Sequence, residues 1–233
     1  MKPFLISEGA KTLAGEYLTA ETLKTTLHSL RYDEKVGLLR LWVSEGIPFA
    51  FRKMPLLYES IRHWLGLRLA IHPKLITVIG SARLGYSLEP LPKFGRPLSP
   101  TSDLDLSIVT DTVFGRLRQD FDRWKGDMKV GTVRPRNKTE ERFWPVNLEM
   151  LPKNIFRGFV DPYKIPTLPA YGSVQHVRQT EWLLGKKMGI TPEAPPLTRV
   201  SIRVYRDWQS FLNQLDRSLD NTLTSFGLGS STH

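Results

Sequence analysis

A chain of 233 residues with 40% hydrophobic content can bury one sizeable core, either as one large domain or as a domain with a helical extension. Zero cysteines exclude disulfides and thiolate metal sites, and no apolar run approaches the ~18 residues of a membrane span. Lys and Arg outnumber Asp and Glu by 33 to 23, and the net charge of +10 points to a polyanionic partner such as nucleic acid or nucleotide. The apolar part of Met1-Lys2-Pro3-Phe4-Leu5-Ile6 is too short for a secretory signal, so a cytoplasmic protein with no membrane association is expected.

Residues 1–18 show no clean period. Thr19 is placed to cap a helix over 20–30, and Asp33 to cap a second that carries Val36, Leu39, Leu41, Trp42 and Val43 on its apolar side and stops before Gly46. Pro55 opens a helix to about Ala70, with Leu57, Ile61, Trp64 and Leu65 inward. Leu75-Ile76-Thr77-Val78-Ile79 is short, β-rich and bounded by Pro73 and Gly80, the mark of a buried strand. Residues 89–101 hold four prolines and Gly95 and are read as a loop, either a gate for substrate or a surface excursion. Residues 112–128 carry Val113, Phe114, Leu117, Phe121 and Trp124 at helical spacing, and five basic and two acidic residues over 129–142 suggest an exposed loop or hairpin. Residues 143–151 are expected to be a third strand with Asn147 and Glu149 on one face. A helix follows from Ser173 to Met188. The three prolines of 191–198 form a hinge, and a final helix capped by Ser201 carries Val204, Trp208, Phe211, Leu212, Leu215 and Leu219. Residues 225–233 read as a flexible tail, and the five histidines have no ligand spacing.

Chemistry concentrates between the first strand and Val109. Gly80-Ser81-Ala82-Arg83-Leu84-Gly85-Tyr86-Ser87 follows the apolar run, and Ser102-Asp103-Leu104-Asp105-Leu106-Ser107-Ile108-Val109 reads as the next strand. On a strand, residues two apart share a side, so Asp103 and Asp105 project together. Two adjacent carboxylates repel unless a cation sits between them, and Mg²⁺ takes oxygen ligands shared with phosphates. A glycine lets backbone approach a phosphate closely, and a helix N-terminus favours the anion. Asp120-Phe121-Asp122 has the same spacing within a predicted helix, where residues two apart splay by about 200° and cannot chelate one ion. Strand context therefore makes the first pair informative.

This pairing resembles the DNA polymerase β-like nucleotidyltransferase superfamily, in particular the branch containing oligoadenylate synthases and the cyclic GMP-AMP synthase. Gly80, Ser81 and Gly85 fall on its Gly-Ser-x-x-x-Gly-Thr/Ser pattern, with Tyr86-Ser87 following, and Ser102-Asp103-Leu104-Asp105 matches its Ser-Asp-x-Asp. The resemblance covers about residues 55–165. Twenty-one residues separate Ser81 from Asp103, about twice the family's usual number. The resemblance implies an α+β fold: a polymerase β-like core with a small mixed sheet over 55–170, an N-terminal helical extension over 1–54 and a C-terminal helical region over 171–224. It implies Mg²⁺ or Mn²⁺ held by Asp103, Asp105 and a third carboxylate. Leu148-Glu149-Met150-Leu151-Pro152 is similar to the family's third-acid strand, which favours Glu149, with Asp161 as its rival. Gly80, Ser81, Arg83, Gly85, Ser87 and Arg203 would hold the phosphates of a nucleoside triphosphate. The expected reaction moves a nucleotidyl group to a hydroxyl of RNA, of a second nucleotide or of a protein. The alternative is a catalytically inactive nucleotide- or nucleic-acid-binding component of a bacterial defence or toxin–antitoxin operon, with a protein partner.

Overall fold

The computed structural model describes residues 4–197 and 199–227. Alternating and helical hydrophobic patterns resolve into an α+β fold whose centre is a four-stranded mixed sheet. The N-terminal part comprises α1 (Glu8–Lys11), α2 (Ala20–Leu27) and α3 (Tyr32–Leu38), the last running into a π-helical turn, Leu39–Ser44. The Thr19 side chain caps α2 by accepting from the Thr22 amide. At α3 the cap falls on Arg31 rather than Asp33, because Glu34 reaches back to accept the Arg31 amide at 3.1 Å. α4 (Pro55–Leu69) leads to β1 (Ile76–Ile79) and the one-turn α5 (Gly80–Leu84), and β2 (Asp103–Val109) follows the Pro-rich loop. The chain continues through α6 (Asp111–Val130), α7 (Lys138–Phe156), β3 (Phe159–Val160), α8 (Gly172–Gly189), β4 (Arg199–Tyr205) and α9 (Trp208–Ser225). Of the expected tail, 228–233 lie outside the described residues, as does Thr198 of the expected hinge.

The sheet order is β1-β2-β4-β3, with β1 antiparallel and β4 parallel to β2, and β3 antiparallel to β4. Residues in register share a face. Ile76, Val78, Leu104, Leu106, Ile108, Ile202 and Val204 form one face, buried under α4, α6, α7 and α8. On the other face Val109, Tyr205 and Phe159 pack with α2, α3 and α9. The rest of that second face is polar, and it carries the site.

Two segments differ from the sequence expectation. Residues 143–151 are not a strand but the middle of α7, despite Pro145 and Pro152 inside it. An interior proline costs a helix about 3 kcal/mol. Trp144, Leu148, Leu151 and Ile155 offset this by lying on one helical face against the core, where a buried side chain contributes about 1.5–3 kcal/mol. Ser201 does not cap a helix but lies within β4; α9 starts after Asp207, whose carboxylate accepts the Ser210 amide at 2.7 Å. The sheet therefore draws a central strand from beyond residue 170.

Candidate functional site

Asp103 and Asp105 project from β2 on the polar face, as their spacing requires. Asp105 sits in register with Ile79 on one side and Ser201 on the other. Gly80 follows Ile79 with φ +68°, and a Cβ there would lie 3.1 Å from Asp105 Oδ2, so only glycine lets the turn close this tightly over the carboxylate. Gly80, Ser81, Asp103 and Asp105 line one cavity of about 600 Å³. The loop over 89–101 forms its outer wall with Lys93 and Arg96, and Ser218 and Asn221 of α9 close the far side. The loop is tied back by backbone bonds from Ser87 N–H to Arg96 O and from Leu98 N–H to Gly85 O. Phe94 packs edge-on against Phe226, with ring centroids 4.8 Å apart.

The carboxylates are met by β4. Arg199 stands in register with Asp103 and donates two hydrogen bonds to it, from Nε at 3.3 Å and Nη2 at 3.2 Å. The Ser201 hydroxyl donates to Asp105 Oδ1 at 2.6 Å. Arg203 donates from Nε to Asp161 Oδ1 at 2.6 Å, and Lys164 Nζ lies 3.0 Å from the other oxygen. Burial raises the Asp105 carboxyl above the ordinary aspartate range, and the charges of Asp103 and Glu89 add to this; the Ser201 hydrogen bond and Arg203 oppose it. Burial works against the charge of Arg203, but Tyr205 and Asp161 outweigh it and hold the guanidinium above its usual value.

The expected residues divide. Gly80, Ser81, Ser87, Asp103, Asp105 and Arg203 come together in the cavity. Arg83 does not: α5 turns it to the back, where it is 2% exposed and donates to Ile47 O at 2.7 Å and Leu41 O at 3.2 Å. It satisfies carbonyls at the end of the π-helical turn instead of a phosphate. Gly85 ends α5 at φ +91°, where a Cβ would strike the Phe49 ring at 2.8 Å, so its role is conformational. Glu149 stands on α7, exposed, and accepts from Lys153 at 2.9 Å. A helical, solvent-facing glutamate one turn from its lysine cannot be a strand ligand beside β2. Asp161 follows β3 and is buried at 1% exposure, but Arg203 and Lys164 neutralise it. The control pair behaves as its helix requires: Asp120 accepts the Val174 amide at 2.9 Å, and Asp122 lies 3.7 Å from Arg118.

For a divalent ion the donors present suit one site. Two carboxylates converge from one strand, and the open cavity leaves room for phosphate oxygens to complete an oxygen shell. Beside the pair β4 presents Arg199, Ser201 and Arg203, and a cavity of about 320 Å³ is lined by Asp105 and Asp161 together with Ser201 and Arg203. Among the described residues, no three His, Cys, Asp or Glu side chains come together as a metal site. Sequence reasoning missed Ser201 and the Arg199–Asp103 pair; the alternation Val200, Ile202, Val204 signals the strand but not its pairing with β2. Among the described residues no helix is long and apolar enough to cross a membrane. Comparison with protein-family models, with curated proteins and with solved structures returned no match for this chain.

Proposed function

We propose that the chain binds a nucleoside triphosphate together with a divalent cation and transfers its nucleotidyl group to a hydroxyl acceptor. The observation that carries this reading is the convergence of Asp103, Asp105, Gly80 and Ser81 in one polar cavity. Asp103 and Asp105 would hold Mg²⁺, which would neutralise phosphate charge and polarise the α-phosphorus. Ser81, Lys93, Arg96 and Arg199 surround the space for the phosphates. In the reaction the acceptor hydroxyl would give up its proton to solvent as its oxygen bonds to the α-phosphorus, the bond to the bridging oxygen would break, and pyrophosphate would leave. The α+β fold, with β2 between an antiparallel and a parallel neighbour, supports a polymerase β-like core. Incubation with each labelled triphosphate, Mg²⁺ and total RNA, with products separated by size, tests the reading. Label moving to a larger product, and lost on Asp105→Asn, is the expected result. No product with any triphosphate would count against transfer.

A second reading rests on β4. Arg199, Ser201 and Arg203 stand beside the two carboxylates, and the nearby Asp161 is paired with Arg203 and Lys164, so the donors would hold one ion and not two. On this reading the chain binds nucleotide without transferring it. Metal-dependent triphosphate binding with no product after long incubation identifies this case.

A further inference from the structure

The C-terminal end of the sheet carries a second concave surface, away from the Asp103 cavity. Arg206 follows β4 seven residues after Arg199, about 23 Å along an extended strand. Two cavities, of about 290 and 580 Å³, adjoin there and share Phe156 and Arg206. Phe156 is the last residue of α7 and is 89% exposed, with no core contact to explain an aromatic ring at that position. Cations surround it. Arg157 is the next residue, Arg217 comes from α9, and Arg118 and Lys125 lie two turns apart on α6. Arg206 is held in place by its amide donating to Gly158 O at 2.8 Å and its guanidinium to Ser210 Oγ at 3.4 Å.

The charge is only partly answered. Arg206 pairs with Asp207 at 2.8 Å and Arg118 with Asp122 at 3.7 Å, all four well exposed. Among the described residues, Arg157, Lys125 and Arg217 have no ion pair. A trough with surplus positive charge and an exposed ring at its centre fits a ligand that offers both phosphates and planar faces. A duplex hides its base faces in the stack, so only a single strand can use the ring. We propose that this trough binds single-stranded nucleic acid, with a base stacked on Phe156 and the cations following the phosphates. The surface is independent of the triphosphate site.

Fluorescence anisotropy of the full chain with labelled 12-mers of oligo(U) and oligo(dT), the matching duplex and polyglutamate tests this. Either single strand is expected to bind at 50 mM salt at least tenfold tighter than the duplex or the polyglutamate. Phe156→Ala should weaken binding by about tenfold or more, and Phe156→Trp should preserve it, since base–aromatic stacking is lost in one and kept in the other. Phe156 is exposed and belongs to neither core cluster, so neither variant threatens the fold, and a melting curve checks this. Arg157→Gln with Arg217→Gln should flatten the dependence of log K on log salt by about 1.4, for two lost single-strand phosphate contacts. The proposal is overturned if neither strand binds, if duplex or polyglutamate binds equally well, if Phe156→Ala is silent, or if excess ATP with Mg²⁺ displaces the strand.

Discussion

Arg199 is the residue whose role changes most if a triphosphate enters. It forks onto Asp103 while 76% exposed, and such solvent-facing pairs contribute about 0–1 kcal/mol. A divalent ion taking both carboxylates can displace the guanidinium at little cost. The freed fork then stands beside the phosphates, whose geometry it matches. Arg199→Gln should therefore tighten Mn²⁺ binding severalfold in a paramagnetic titration and weaken triphosphate binding about tenfold in calorimetry. Changes of the same sign in both would contradict the exchange. Asp105 gives a pH signature. Its folded carboxyl titrates above the ordinary value, so the native state keeps a proton that the unfolded chain has released. Stability of the metal-free protein should then fall as pH rises from about 4 through the raised value. Asp105→Asn should remove that part of the melting-temperature profile, and a wild-type profile parallel to the variant's would exclude it. Arg203 is a structural cation as much as a ligand. Asp161 is buried, so Arg203→Met leaves it only Lys164 and should cost about 3 kcal/mol, a fall in Tm of roughly 6–12 °C. Adding Asp161→Asn should restore much of the loss.

At the level of elements, α7 separates packing from chemistry. Leu151 is fully buried, and Leu151→Ala should cost about 3 kcal/mol in denaturant unfolding. Glu149→Gln on the same helix should stay within about 0.5 kcal/mol and leave triphosphate binding unchanged, because its carboxylate meets only Lys153 and solvent. A large loss of binding in Glu149→Gln would reopen its candidacy as a ligand. The helix was hard to read because two periods coexist there. Val146, Leu148 and Met150 alternate as in a strand, while Trp144, Leu148, Leu151 and Ile155 repeat as in a helix. The likeness of Leu148-Glu149-Met150-Leu151-Pro152 to the family's third-acid strand favoured the strand reading, and only tertiary burial decides between the two periods. β4 failed in the opposite direction. The strong stripe from Trp208 to Leu219 extends backwards through Val204, masking the alternation of Val200, Ile202 and Val204. Where one period stood alone the elements were legible: α4, β1, β2, α6 and α8 lie within a few residues of expectation. The same holds for the site. Asp103, Asp105, Gly80 and Ser81 are contiguous motifs, whereas Arg199 and Ser201 reach them only through a parallel pairing across 96 residues, which no local pattern reveals.

The whole molecule brings three distant segments to one cavity: the turn after β1, the strand β2 with its preceding loop, and the pair β4 and α9. A helical layer on the apolar face holds the sheet, leaving half of the other face free for polar chemistry. The electrostatic balance of that face is its most informative property. Each acid has a partner on β4, but of different kinds: Arg199 pairs with Asp103 and Arg203 with Asp161, while Asp105 meets the neutral hydroxyl of Ser201, so its charge is the one left to compensate. On the proposed reading a metal and a triphosphate would displace Arg199 from Asp103 and supply the charge that Asp105 lacks. Calorimetric titration with non-hydrolysable analogues of all four triphosphates, with Mg²⁺ or Mn²⁺, tests the claim most directly when run on the wild type and on Asp103→Asn with Asp105→Asn. Binding of at least one analogue that disappears in EDTA and in the double variant is the predicted result. No heat with any analogue, or binding that survives both the chelator and the loss of the two carboxylates, would contradict it.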